Sequence, residues 1–164
     1  MEFQLKTISP EGADAALSKA ELYRFLNEPE EAESICEDVL SVQPGHQLAL
    51  RTLGLALTDQ FTGQSSDRYA DAEKAFQQLS DAYERLYYTG LSHERRAKAQ
   101  LRTGRPAHTV TVLLEDAMRN YEEAERIRPT GNDDAILRWN RCARLLHSKL
   151  DSEWHREVGI EMGE

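Results

Sequence analysis

The chain has 164 residues, 40% hydrophobic and 30% charged, with a formal net charge of −9. That length supports one ordinary hydrophobic core and is short for two domains, and the excess of acid excludes the basic footprint that non-specific nucleic-acid binding requires. Lean in apolar residues and rich in charge, the composition suits an elongated fold with much surface for its volume.

Ala, Leu, Glu, Arg and Gln dominate, all good helix formers, and β-branched residues never gather into an alternating run, so strands have little support. Residues 1–8 form a lead-in with no apolar stretch resembling a signal peptide, and no segment approaches transmembrane length, so the expected location is cytoplasmic with no membrane partner. Ser9-Pro10-Glu11 opens a helix that should run to about Asn27. A second is expected from Pro29 to Pro44-Gly45, and a third from about Gln47 to Phe61. After the polar stretch Thr62–Ser66, a long fourth helix should extend from about Asp67 to Tyr88, broken at Thr89-Gly90. The fifth is expected over Leu91–Arg102, and the sixth follows the Thr103–Pro106 loop to Arg128. Asn132-Asp133-Asp134 caps a seventh that reaches about His155, and residues 159–164 form a tail expected to fray. Cys36 and Cys142 are far apart and fall where a helix would bury them, so they read as small core residues in a reducing compartment.

The helices repeat in pairs. Ala32-x3-Cys36, Ala72-x3-Phe76 and Ala117-x3-Tyr121 share one pattern, and two of the three close on a proline at the same offset, Pro44 and Pro129. Leu50-x2-Leu53-Gly54-x2-Leu57 and Ala20-x2-Tyr23 supply the matching first-helix pattern. Small residues at these positions let two helices approach closely, the larger ones fill the space beside them, and the prolines end the second helix. Over about residues 10–155 the sequence resembles the tetratricopeptide repeat family. The resemblance implies an all-α, right-handed superhelical stack of antiparallel helical hairpins. The hairpins would cover about 9–44, 46–88 and 91–129, with a capping helix at about 132–157, in a single domain spanning 9–158. Three departures stand out. Gly54 to Ala72 and Ala97 to Ala117 are longer than Ala20 to Ala32, which reads as insertions in both turns. Glu84 stands at the second closing-proline position, and Trp139 falls where a further repeat would need a small residue. That last departure makes the seventh helix a cap with one apolar stripe: Ala135, Ile136, Trp139, Cys142, Ala143, Leu146, Leu150 and Trp154, with Arg138, Arg141 and Arg144 on the other side.

Catalytic signatures are missing: there is no phosphate-binding loop, dinucleotide fingerprint, zinc-protease motif or nucleophile elbow. No catalytic residue, cofactor or metal is therefore expected. His147, Asp151 and His155 recur on one helical face and could in principle hold a metal, but nothing supplies an outer shell and a solvated polar face is the plainer reading. The acidic runs at Glu28–Glu33 and Glu122–Glu125 read as solubilising.

The family implies a non-enzymatic interaction scaffold whose first helices line a groove. Inner positions by that resemblance include Leu17, Glu21, Arg51 and Leu55, which is not the Lys/Asn/Arg set that grips chaperone tails. Residues 1–40 hold ten acids against three bases, whereas residues 91–110 hold five bases against Glu94 alone. Arg95, Lys98 and Arg102 share one face of the fifth helix, and Arg51, Asn140 and Arg144 could extend it. These six are the candidate binding residues for an acidic peptide or another protein; pairing of the bases with the chain's own acids is the competing reading. The turns Thr62–Ser66 and Thr103–Thr109 are candidate contact loops. A homodimer, a self-stacking structural protein and a regulatory subunit of an enzyme complex remain open alternatives.

Overall fold

The computed structural model describes residues 2–150 together with 155, 156 and 159. Among these residues the chain is all-helical, with seven α-helices and no strand, and no helix is long and apolar enough to cross a membrane. It divides into two compact units, residues 1–60 with 68–80 and residues 61–67 with 81–164.

The first unit contains α1 (Ala13–Phe25), α2 (Pro29–Val42), α3 (Gln47–Asp59) and α4 (Tyr69–Gln77). Pro10–Gly12 form a single 3-10 turn ahead of α1, and proline opens α2 at a position where its missing N–H costs nothing. At the end of α1, Asn27 takes a left-handed conformation, φ 61°. The Glu28 N–H then donates to the Tyr23 carbonyl at 2.8 Å and the Asn27 N–H to that of Arg24 at 3.0 Å, which is a Schellman closure. His46 caps α3 by accepting the Ala49 N–H on Nδ1. Each helix packs on the next, and α1 also packs on α3. The core joins Ala13, Leu17, Ala20, Ala32, Cys36, Val39, Ala49 and Ala56. Its small side chains permit the close helix approach that the repeat pattern anticipated. Gly54 has the same role against α4: a Cβ there would overlap the Phe76 ring.

The second unit contains α5 (Ala82–Arg102), α6 (Ala107–Arg126) and α7 (Asp134–Leu145), then one π-helical turn at Leu146–Leu150. Its core centres on Tyr121, Val110, Leu114, Ala117, Cys142 and Leu145. The expected break at Thr89-Gly90 is corrected here. Both residues lie inside α5, and the real interruption is residues 78–81. Asp81 accepts the Glu84 N–H at 3.0 Å, so Asp81-x-x-Glu84 is a helix start. Gly90 is required for a different reason: a Cβ would come 2.8 Å from Tyr121 Cε1. Glu84 accordingly belongs to the first turn of α5 and not to an overrunning fourth helix.

Both expected insertions also change character. Thr62–Ser66 is closed on itself, because the Asp67 carboxylate accepts the Thr62 N–H and hydroxyl and the Gly63 N–H at 2.6–2.9 Å. Gly63 sits at φ 84° with its backbone pressed on α5, where a Cβ would lie 2.7 Å from the Ala99 carbonyl. In the other turn, Gly104 at φ 75° ends α5 in a second Schellman closure, with Arg105 N–H on the Gln100 carbonyl, and α6 has begun by Ala107. The extra length is helix, 21 residues in α5 and 20 in α6, and not an extended contact loop.

The π turn shifts the register at the end of α7, and Leu145 is buried where the regular wheel placed Leu146 in the stripe. Leu146 and Trp139 are partly buried against the same core. Trp154, Asp151 and most of the 159–164 tail lie outside the described residues.

Candidate functional site

Apolar side chains at i, i+3 and i+4 share a helical face, and Leu22 and Phe25 of α1, with Leu26 at its C-cap, put such a face toward solvent. Phe25 is 86% exposed at the last residue of the helix, just before the turn made by Asn27. Beside it an open cleft of about 470 Å³ is lined by Glu21, Arg24, Phe25, Asn27 and Asp59, and so runs between the C-terminal ends of α1 and α3. The Arg24 guanidinium grips the Asp59 carboxylate in a fork, donating from Nε at 2.7 Å and from Nη2 at 3.3 Å. Both side chains are only partly exposed, so the pair holds a defined wall where a freely solvated pair would not. The cleft offers one aromatic surface, two acids and one base.

A second, smaller cleft of about 240 Å³ lies on another side of this unit, near Leu53, Leu57, Arg68 and Lys74. Its arginine is already engaged: Arg68 donates to the nearly buried Glu33 and, at 2.8 Å, to Asp71. Glu33 also accepts from Gln60 at 2.7 Å, so this network ties α2 to α3 and α4.

Of the six residues expected to bind an acidic partner, Arg51 is half-buried on α3 in the first unit, and the other five belong to the second unit. Lys98 does not point to an incoming acid. Its Nζ donates to Glu94 Oε1 at 2.5 Å, and Glu94 is completely buried. The Tyr121 hydroxyl donates to Glu94 Oε2 at 2.6 Å, and Arg138 reaches Oε1 at 3.4 Å. One carboxylate thereby joins α5, α6 and α7, and Arg138 is turned inward from the side on which the helical wheel left it to solvent. Burial, followed by the adjacent Glu94 charge, pushes the Tyr121 phenol far above its ordinary range, so it stays a donor. Arg95 and Asn140 are half-buried, while Arg102 and Arg144 are exposed. Leu17, taken as a groove position, is instead 1% exposed in the core. Its alanine-rich surroundings close over it.

The Glu94 network was missed because a lone acid among five bases looks like a surface residue. The available signal was the i, i+4 spacing of Glu94 to Lys98 together with the tyrosine of Ala117-x3-Tyr121. Phe25 was missed because its i, i+3, i+4 spacing with Leu22 and Leu26 shows an apolar face without showing that no other helix covers it. Among the described residues no three His, Cys, Asp or Glu side chains gather to hold a metal, and His147 and His155 are exposed. Comparison of the chain with protein-family models, with curated proteins and with solved structures returned no match.

Proposed function

We propose that this chain is a non-enzymatic interaction module of tetratricopeptide-like design, a right-handed stack of helical hairpins that takes a short apolar segment of a protein partner in the α1–α3 cleft. The observation that carries the reading is Phe25: a large aromatic ring, 86% exposed, flanked by Leu22 and Leu26 and set against the Arg24–Asp59 wall. Leaving such a cluster in water is unfavourable, and exposed apolar patches rimmed by polar groups serve as contact surfaces. Two features support the repeat reading. First helices α1 and α3 pack on one another, and the glycine-on-aromatic contact recurs as Gly54 with Phe76 and Gly90 with Tyr121. The buried free thiols Cys36 and Cys142 fit a reducing, cytoplasmic setting.

Selection of binding peptides from a random display library against the immobilised full chain tests the proposal. Enriched peptides should carry aromatic or aliphatic anchors, and Phe25→Glu should weaken them at least about tenfold. Arg102→Glu/Arg144→Glu is the comparison arm for the acidic-peptide reading. Peptides that ignore Phe25→Glu but fail on the arginine variant would move the site to the second unit.

A further inference from the structure

We propose that the end of the second unit where α5 and α7 finish is a docking face for a short acidic segment of a partner protein. It lies in the other unit from the α1–α3 cleft, takes a different chemistry and does not rest on that reading. The sequence leaves this end without acids: none occurs between Glu94 and Glu115, nor between Asp134 and Asp151. Contacts bring the two stretches together. Tyr83 meets Asn132 just ahead of α7 and, further along, Glu94 meets Arg138, so α5 and α7 run the same way and finish at one end. The approach of Gly90 to Tyr121 sets α6 antiparallel to them, which puts its C-terminal Arg126 at the far end.

Six bases collect there: Lys98, Arg102 and Arg105 from α5 and the turn after it, and Arg138, Arg141 and Arg144 from α7. Lys98 and Arg138 share the buried Glu94 carboxylate. Arg141 lies on the same seam: burial and then Glu94 raise the Cys142 thiol, while Lys98, Arg138 and Arg141 are close enough to oppose the rise. Arg102, Arg105, Arg141 and Arg144 are exposed, and none of them makes an ion pair among the described residues. The helix C-termini answer part of this charge. Each offers roughly half a negative unit, so two helix ends and Glu94 together offset about two of the bases and leave about four. That local surplus stands on a chain whose net charge is −9.

The size and spread of the surplus select the occupant. Arg102 stands one turn beyond Lys98 and Arg144 one turn beyond Arg141, steps of about 5–6 Å along each helix. Such a spacing meets successive carboxylates of a peptide, each of which a guanidinium can hold in a fork. A compact anion instead needs donors converging on one point. A nucleic acid needs a longer basic footprint and exposed rings on which its bases stack. The aromatic side chain on this helix, Trp139, is half-buried with its N–H already on Glu122.

The test follows the fluorescence anisotropy of a labelled hexaglutamate peptide titrated with the full chain at low salt. The peptide has no apolar anchor, so the α1–α3 cleft adds nothing to its binding. Binding is expected, and it should weaken steeply as salt is added. Arg102→Glu and Arg144→Glu each reverse a charge at about 6 Å from a bound carboxylate, and each should raise the Kd about tenfold. Arg126→Glu makes the same change of net charge at the far end of α6 and should move the Kd less than about twofold. Circular dichroism checks that the helices survive; should a reversal unfold the chain, Arg102→Gln reads the same face with about a threefold loss. Absence of binding overturns the proposal, as does an equal loss on Arg126→Glu, which would mean diffuse attraction only. So does displacement of the peptide by millimolar inorganic phosphate at matched ionic strength, or equally tight binding of a single-stranded oligonucleotide of the same charge. Binding that emerges only in Asp151→Asn/Glu153→Gln/Glu157→Gln/Glu161→Gln/Glu164→Gln overturns it too, by assigning the face to the chain's own C-terminal segment.

Discussion

Two glycines show how a single missing Cβ decides packing. In a helix interior, replacing glycine with alanine ordinarily gains up to about 1 kcal/mol of propensity. Here the gain is outweighed, because a Cβ on Gly54 would overlap the Phe76 ring and one on Gly90 would press on the Tyr121 ring and the Ala117 carbonyl. Overpacking of this kind costs about 1–3 kcal/mol, and both aromatic rings are fully buried with little room to yield. Urea unfolding should therefore find Gly54→Ala and Gly90→Ala destabilised, with Gly54→Ala the worse; a stabilised variant would refute the close approach. Titration supplies a second test at this scale. Burial pushes the thiols of Cys36 and Cys142 from 9.0 up to about 12, and burial likewise raises the phenol of Tyr83 to about 12. Each is an acid whose folded pKa lies above its unfolded value. The unfolded chain releases the proton first, so stability is complete below about pH 9 and declines as pH rises toward 12. For the two thiols the slope approaches about 1.4 kcal/mol per pH unit each. Cys36→Ala and Cys142→Ala should each flatten the decline between about pH 9 and 11, even though the cavity lowers stability at neutral pH.

Helix α7 is attached by more than its apolar stripe. Ala135, Cys142 and Leu145 enter the core, Arg138 reaches Glu94, and the Trp139 indole N–H donates to Glu122 at 3.0 Å. Because Trp139 is only partly buried, its removal should cost less than the roughly 3–5 kcal/mol of a fully enclosed ring. The Glu94 carboxylate is the stronger tie. Glu94→Gln keeps an acceptor for the Tyr121 hydroxyl but leaves Lys98 and Arg138 without their counter-charge. Both cations are part-exposed and can turn to water, so the expected loss is about 1–3 kcal/mol, below the range for a fully enclosed pair. A double-mutant cycle with Arg138→Met should show coupling of about 0.5 kcal/mol or more between α5 and α7. Additive effects would mean that the 3.4 Å contact carries no energy.

At the scale of the molecule, each unit closes its own core, and the second depends on its last helix. Deleting residue 132 onward would remove Asn132, which accepts the Tyr83 hydroxyl at 3.2 Å, and all of α7. It would also bare the α6 face that Ala135, Cys142 and Leu145 cover. The truncated chain should lose helicity or aggregate, because that apolar face would then meet water. A truncation that remains soluble and melts cooperatively, followed by circular dichroism, would show that α5 and α6 suffice. The Thr62–Ser66 segment belongs to the second unit and is more than a candidate contact loop. Since Asp67 collects three donors and Gly63 rests on α5, shortening Thr62–Ser66 should destabilise the second unit.

The sequence by itself determined the helical class, the positions of α2, α3 and α6, and the small-residue contacts of Ala20, Ala32 and Ala117, because propensity, proline stops and i, i+4 spacing are local properties of the chain. It went wrong at Gly90, where a residue that permits a break was instead needed for contact with a tyrosine 31 positions away. At Lys98 the contact follows the competing reading, a base paired with the chain's own acid, and what the sequence did not record was the complete burial of that acid, Glu94. Which bases remain at the surface, which helix faces stay uncovered and where Phe25 stands relative to Asp59 were decided only by tertiary structure. Desolvation and contact are set by what the neighbouring helices bring, and a linear pattern records a residue's type without recording its surroundings.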